Sequence, residues 1–303
     1  MIASYRACGK LILLGEHFVV HGTPALAAPI AAVSTEASVL DDPAAPGPRL
    51  DVPFDGETRD VAESLLRLAV DRLAIPANRG WQVRVRSDVP IGYGLGSSAA
   101  FAVAVCGALA RAAGHELSLD ALNAHAHALE RVVHGAPSGV DDTVITWGRA
   151  VSFRRGEPFA FVTPGRPLRL VLASTPRIGT THDAVAGVGR LRQSEPARFD
   201  VLLRDAGWVA LQGLEAFRAG DAPRLGTLLD ENHRLLLELG VSIPALDRLA
   251  LAARQAGALG AKMTGGGLGG FVVALCREGG EADVTQAMRA AGGDHVMTTE
   301  IAP

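Results

Sequence analysis

Lysine is almost absent from this chain of 303 residues: of 29 basic side chains, 27 are arginine and only Lys10 and Lys262 are lysine. The two residue types differ in shape, hydration and ease of pKa adjustment, so a site that needs a compact ammonium can resist whatever bias removed the others. Chance retention is the alternative at this stage. Cysteine is scarce as well; Cys8, Cys106 and Cys276 are odd in number and widely spaced, which argues against a disulfide framework. Long hydrophobic runs are missing. The longest, Ala99 to Ala110, falls far short of the roughly 20 residues that cross a bilayer and reads as a buried helix. Excess charge of either sign is missing too: a formal net charge of -3 and a pI near 6.3 give no global basic field. Nucleic acid and anionic membrane are therefore poor candidates as main partners, and an anionic ligand must be met locally. The opening MIASYRACGK lacks the layout of a secretory signal, and there is no internal repeat or low-complexity tract. The expectation is a cytoplasmic, reduced, disulfide-free protein.

What is present is a 48% apolar chain long enough for two domains of ordinary size. CGKLILLGEHFVV reads as one or two strands broken at Gly15, and STEASVLD continues the strand signal. Asp41 to Thr58 reads as an exposed loop, followed by a helix over Arg59 to Leu73 with Val61, Leu65, Leu68 and Leu73 at roughly helical spacing. Trp81 to Val89 alternates as a half-buried strand and runs into a glycine-rich turn, with a long helix from about Ser97 or Ser98. Ser118 or Asp120 caps a helix to about Val133. Strands follow near Ala150 to Phe153 and Phe159 to Val162, and Pro164, Gly165 and Pro167 mark the expected domain boundary. Beyond it lie a strand over Leu168 to Ala173, three or four helices between Thr181 and Gln255, a turn at Gly265 to Gly270, a strand over Phe271 to Cys276, a helix, and a last strand near His295 to Thr298.

The segment PIGYGLGSSAA, Pro90 to Ala100, lies between a predicted strand and a predicted helix. Glycines at 92, 94 and 96 allow a tight turn and close backbone approach to a ligand. Unpartnered amides at a helix start, with the helix dipole behind them, form an anion site suited to phosphate. Ser98, in the first helical turn, can supply an oxygen to a magnesium ion carried on that phosphate. A plain strand-to-helix turn with an N-capping serine is the structural alternative. The segment is neither a P-loop nor a protein-kinase loop, since GxxxxGK[ST] and GxGxxGxV are both absent.

PIGYGLGSSAA resembles the phosphate loop of the GHMP kinases. Two further stretches match that superfamily in order, GKLILLGEHFVVHG at the amino end and GAKMTGGGLGGF near the carboxyl end, so the resemblance covers the whole chain. GEHFVVHG and HGAPSGVDD, His134 to Asp142, are similar to the mevalonate kinase branch. DENHRLLLELGVS and PRIGTTHDAVAGV are weaker echoes. The resemblance implies an α+β two-domain fold: an N-terminal ribosomal-protein-S5-like α/β domain over 1–165, a C-terminal ferredoxin-like α+β domain over 166–303, and an active site in the cleft between them. It implies ATP-dependent phosphorylation of the C5 hydroxyl of mevalonate in isoprenoid biosynthesis, with ATP and Mg2+ as cofactors and no nucleic acid or membrane partner. A homodimer is left open.

Family roles transfer position by position. The resemblance implies that Lys10 pairs with a catalytic aspartate and lowers the pKa of the attacking hydroxyl, where a strand lysine is otherwise a solvated residue. It implies that Asp141 orients or deprotonates that hydroxyl, where an aspartate opening a helix is otherwise a cap; Asp142, where the family more often has Asn, makes the ambiguity real. Glu130, 11 residues before Asp141, matches the magnesium-binding glutamate and is expected to act with Ser98; an acid near a helix end faces an unfavourable dipole and suggests a compensating cation. His127, Glu130 and His134 share one helical face, so zinc is a rival reading. Gly94, Leu95, Gly96, Ser97, Ser98 and Ala99, together with Gly266 and Gly267, are the implied nucleotide-binding positions. His17 and Thr181, with Glu16 contributing, are the implied substrate contacts; Thr180 competes with Thr181, and His17 is expected on a strand. Lys262 is expected in the wall of the site. Leu268 in the glycine-rich turn is a departure from the family pattern. Competing activities are another GHMP small-molecule kinase, acting on phosphomevalonate or a sugar, and a non-catalytic sensor of the same fold.

Overall fold

The computed structural model describes residues 1–178 and 181–303, with the side chains of residues 177, 178, 181 and 182 outside that description. It divides into two compact units that interleave along the chain. The first comprises Met1–Lys10, Val33–Ile91 and Gly96–Gly148; the second comprises Leu11–Ala32, Gly92–Leu95 and Arg149–Pro303. Strands β1 (Ala3–Leu14) and β2 (Ala25–Asp41) run through both.

In the first unit, β2 pairs antiparallel with β4 (Trp81–Ser87), from Thr35 opposite Ser87 to Asp41 opposite Trp81. β3 (Arg49–Asp51) adds to β4 in parallel. The inward side chains Ala37, Val39, Val83 and Val85 are buried, the period-two pattern of a sheet with one covered face. α2 (Ser97–Ala112) is buried at every position from Ala99 to Ala110. A helix apolar on all sides belongs inside a domain rather than on its surface, and α1 (Gly56–Arg72), α3 (Leu119–His134) and α4 (Val140–Trp147) pack around it. α1 turns Ala62, Leu65, Leu66 and Ala69 inward and leaves Val61 exposed, so its buried face lies about one residue round from the expected stripe.

In the second unit, β5 (Ala150–Phe153) and β6 (Ala160–Val162) form a hairpin, and Ala25–Ala27 of β2 pair with β5. A separate antiparallel sheet has the order β10-β7-β9-β8, built from β7 (Leu168–Ile178), β8 (Gly260–Thr264), β9 (Gly269–Cys276) and β10 (Asp294–Ile301). Its helices are α5 (Thr181–Ser194), α6 (Pro196–Ala219), α7 (Ala222–Glu238), α8 (Pro244–Gln255) and α9 (Glu281–Ala290).

Several expectations need correction. β3 lies inside the segment expected to be loop; with one apolar side chain it carries no readable alternation. Ala25 to Val33 is strand, hidden in sequence by an alanine-rich run containing Pro29. β8 is a strand with little strand signal in its sequence, because its five residues include a glycine and a charged lysine. His17 is not on a strand but precedes a 3-10 turn, Phe18–His21. The N-capping serine raised as the structural alternative for the turn before α2 is not found, since the cap is Gly96 in the left-handed region (φ 79) with no side-chain cap bond.

The tightest helix-to-sheet approach is between α7 and β8, where a Cβ on Gly226 would meet the Leu259 carbonyl oxygen at 2.4 Å and one on Gly260 would meet the Gly226 oxygen at 1.9 Å. Backbone cannot yield as a side chain can. Gly226→Ala should therefore cost about 1–3 kcal/mol, the range for forced overpacking. Urea unfolding measures it, and a loss below about 0.5 kcal/mol, the ordinary surface range, would contradict this packing.

Candidate active site

Lys10 ends the first unit's share of β1 with its side chain 5% exposed, and its Nζ lies 3.0 Å from Asp141 Oδ2. A buried ammonium needs such a partner. The socket depends on Gly96: a Cβ there would meet Lys10 Cγ at 2.9 Å and Ile145 Cδ1 at 3.0 Å. The strand lysine, the start of α2 and the first turn of α4 thus converge on one point.

Asp141 does not cap its helix. The N-cap of α4 is Gly139 (φ 83), with no side-chain cap bond. Asp142, 1% exposed, faces the other way and takes a 3.2 Å contact from His127 Nδ1. Burial pushes the Asp142 carboxyl above its usual range, and the nearby His127 pulls it back down. The two adjacent acids therefore have different neighbours, one a lysine and the other a histidine.

Glu130 sits in the last turn of α3 and is 2% exposed. Burial pushes its carboxyl up to about 7, opposed by the Ser98 hydroxyl and reinforced by the charges of Asp141 and Asp142. Its Oε1 is buried without a hydrogen-bond partner. Ser98 Oγ lies 3.2 Å from His134 Nε2, which is in turn 3.7 Å from Glu130 Oε2. An orphaned carboxylate oxygen beside a hydroxyl, with three acids and one lysine in the neighbourhood, fits a hard divalent cation that takes oxygen ligands. Among the described residues no group of three or more His, Cys, Asp or Glu side chains is arranged to hold a metal by itself. His127 is engaged by Asp142 rather than turned to Glu130 and His134.

The second unit gathers the other motif residues. Gly94 (φ 79) approaches the glycine-rich turn so closely that a Cβ on it would lie 3.0 Å from Gly265 Cα, and Tyr93 meets Phe271 edge-on at 5.6 Å between ring centroids. Gly267 (φ 77) leaves no space either, since a Cβ would lie 2.5 Å from the Val241 oxygen. Leu268 takes the left-handed region at φ 55 and its N–H donates to the Val241 carbonyl at 2.8 Å.

His17 also has positive φ (59). Non-glycine residues held there carry strain and cluster at functional sites. Its imidazole is hydrogen-bonded with the Gly266 backbone, burial pushes its pKa down to about 4, and its Nε2 is buried without a partner. It is a neutral ring with one nitrogen unsatisfied.

Glu16 beside it is 1% exposed and pairs with Lys262, which is 0% exposed. Burial pushes the Glu16 carboxyl up and the Lys262 ammonium down, while their attraction opposes both shifts. Thr264 Oγ1 donates to the Ile12 carbonyl at 2.9 Å alongside the pair, and Glu16 Oε2 remains unpartnered. This ion pair is what the sequence reading of Lys262 as wall missed; the signal available was that only two lysines exist. The Thr181 side chain and Thr180 lie outside the described residues.

Comparison with known proteins identifies the class to which the chain belongs. The model of the GHMP kinases N-terminal domain matches residues 60–149, and that of the GHMP kinases C-terminal domain matches residues 214–294. The chain is 37% identical to the mevalonate kinase of Thermococcus gammatolerans, over 96% of this chain and 94% of that one. It is 36% identical to the mevalonate kinase of Pyrococcus furiosus, over 98% and 95%. Its fold matches the crystal structure of L. major mevalonate kinase in complex with R-mevalonate at a TM-score of 0.91 and 30% identity, covering 99% of this chain and 96% of that one. The chain belongs to the GHMP kinases and, within them, to the mevalonate kinase family. It is a two-domain, ATP-using phosphotransferase, and no helix among the described residues is long and apolar enough to cross a membrane.

Lys262→Met would leave Glu16 buried without its cation, a loss of about 3–5 kcal/mol on the scale of broken buried pairs. Glu16 can relieve this by taking a proton, and its folded pKa would then stand further above its unfolded value. That stability is present below the unfolded pKa and lost as pH rises past it, so the defect should be larger at pH 8 than at pH 5. Glu16→Gln with Lys262→Met should recover most of it. Denaturant unfolding at the two pH values tests this; equal defects with no recovery would contradict the pairing.

Proposed function

We propose that the protein transfers the γ-phosphoryl group of ATP to the C5 hydroxyl of mevalonate, giving 5-phosphomevalonate for isoprenoid synthesis. The carrying observation is the pairing of the buried Lys10 ammonium with the half-buried Asp141 carboxylate at 3.0 Å. Phosphoryl transfer asks a protein for alignment and charge neutralisation more than for covalent chemistry, and a lysine paired with an otherwise uncapping aspartate is suited to both. Asp141 accepts or orients the hydroxyl proton, and the Lys10 ammonium stabilises the developing alkoxide. The amides from Gly94 to Ala99 and the turn at Gly266 and Gly267 hold the nucleotide phosphates. Ser98 and Glu130 would hold magnesium, which when bound neutralises charge on those phosphates. Burial raises the Glu130 pKa, and a bound cation would offset that by favouring the carboxylate form, so metal binding there would release a proton.

On the substrate side, His17 offers its unsatisfied Nε2 to a polar group of mevalonate. Glu16 acts behind it, through Lys262, and Thr181 is a further proposed contact. The L. major relative was crystallised with R-mevalonate, which supports this acceptor over a phosphorylated one. The reaction is proposed to take place in the cytoplasm.

An ATP-coupled assay over mevalonate, phosphomevalonate, homoserine and galactose tests the reading. Mevalonate should be phosphorylated in preference to the other three, and Asp141→Asn and Asp141→Ala should each lose about two to four decades of rate. Preference for another acceptor would overturn the substrate; ATP binding without transfer to any of them would indicate a sensor; near-full activity of both variants would remove Asp141 from its role.

A further inference from the structure

Two polar side chains stand among the buried residues of α7, Asn232 and His233, 3% and 5% exposed. With Asp230 they belong to the DENH segment, which the site described above leaves without a role. Each of the three accepts a hydrogen bond from a backbone N–H outside the helix, and every group involved lies in the second unit.

Asp230 and His233 act on β8. This strand is an edge of its sheet, so alternate N–H groups face away from β9 and need other partners. Asp230 Oδ1 accepts from the Ala261 N–H at 2.8 Å, and His233 Nδ1 accepts from the Met263 N–H at 3.2 Å. The Arg254 guanidinium braces the first contact, donating at 2.9 Å to both Asp230 Oδ1 and the Ala261 carbonyl. Between the two held amides stands Lys262. Behind the imidazole, Asp247 Oδ1 lies 3.3 Å from His233 Nε2 and accepts from the Ser242 hydroxyl at 2.5 Å. Burial pushes the His233 pKa down to about 4, so the ring is neutral; with Nδ1 as acceptor, its proton sits on Nε2 toward Asp247.

Covering a sheet edge accounts for Asp230 and His233 but not for Asn232. Asn232 Oδ1 accepts from the Gly15 N–H at 3.2 Å, across 217 residues of chain. Gly15, at φ 98, is the bend between β1 and the segment carrying Glu16 and His17, and a Cβ on it would lie 2.5 Å from the Pro24 oxygen. The Asn232 amide nitrogen is buried without a partner, and a buried donor left unpaired costs stability. One bond gained against one donor orphaned does not by itself favour asparagine; what the residue secures is the place of the Gly15 amide. Glu16 Oε2 and His17 Nε2, on the next two residues, are likewise unpartnered. One turn of α7 thus grips both segments that meet in the Glu16–Lys262 pair.

We infer that Asn232 is a positioning residue for the acceptor side of the site: through the Gly15 amide it sets where Glu16 and His17 stand, while His233 sets Lys262 against them. The inference rests on the proposed role of His17 in holding the acceptor. Neither residue belongs to the unit that contains Lys10 and Asp141, so the KM for the acceptor should move while kcat and the KM for ATP stay nearly fixed.

Steady-state kinetics of Asn232→Leu, which keeps most of the volume and removes the acceptor atom, and of Asn232→Asp, which retains that atom, test this. Burial should keep the introduced carboxyl protonated, close in shape to the amide. Asn232→Leu should raise the KM for mevalonate about 10–100-fold, the scale for losing an outer-shell partner, with kcat and the KM for ATP within about threefold of wild type. Asn232→Asp should stay within a few-fold of wild type in all three constants. His233→Gln, whose amide oxygen can take the Met263 bond, should hold the mevalonate KM closer to wild type than His233→Leu does. Thermal midpoints check folding. Should Asn232→Leu not fold, Asn232→Ala is read in its place; if neither folds while Asn232→Asp does, Asn232 serves stability alone and the inference falls. It falls too if the KM for ATP rises in step with that for mevalonate, or if Asn232→Asp is as impaired as Asn232→Leu. A wild-type chain that transfers phosphate to no acceptor would remove the proposed activity and this inference together, whereas normal wild-type transfer with an unmoved mevalonate KM in Asn232→Leu would remove this inference alone.

Discussion

The first unit depends on one buried charge. Lys10 is 5% exposed on the strand that begins the chain, and an ammonium that deep is tolerable only with a carboxylate at hydrogen-bonding distance. Asp141 is free to serve because Gly139 and Ser138 form the start of α4: the glycine supplies the cap conformation, and the Ser138 hydroxyl accepts from the Val140 N–H at 3.4 Å. Asp142 is occupied by His127, which leaves the adjacent acid turned toward the lysine. Gly96 clears the space through which the lysine stem passes. The start of α2, the strand β1 and the first turn of α4 thus meet at a single side chain, and the raised pKa of Glu130 follows partly from the two carboxylates assembled beside it.

The lysine count takes on its physical meaning at this point. Among the described ion pairs, every arginine keeps at least 30% of its side chain exposed, Arg254 being the lowest. The two lysines keep 5% and 0%. A guanidinium presents a wide fork with five donors, which the Lys10 socket beside Gly96 and Ile145 and the enclosed Lys262 position do not accommodate. Each lysine meets one carboxylate, and each pair lies beside a residue with unusual backbone: Gly96 in one unit, His17 in the other. The second pair lies beside the strained histidine, where the imidazole Nε2 and Glu16 Oε2 are both buried without a hydrogen-bond partner.

Much of this was legible in the sequence, for identifiable reasons. The glycine-serine turn before an apolar helix, the capping of α3 by Ser118, whose hydroxyl accepts from the Ala121 N–H, and the alternating β4 strand are local signals, and local signals can be read. What escaped was non-local. β8 is short and carries a lysine that becomes buried only because Glu16, 246 residues away, neutralises it. His17 sits in strand-like sequence, but its backbone is bent into the left-handed region at a position in contact with Gly266. The engagement of Asp142 by His127 bridges two helices and leaves no trace in either one alone.

The proposed transfer needs a compact ammonium at position 10, held against Asp141 in a socket that Gly96 keeps open. The initial rate of mevalonate phosphorylation by Lys10→Arg tests it most directly, because the substitution keeps the charge and changes only its shape. Lys10→Arg should lose about two decades of rate or more, comparable to the loss in Lys10→Met. A Lys10→Arg enzyme within a few-fold of the wild-type rate would contradict it.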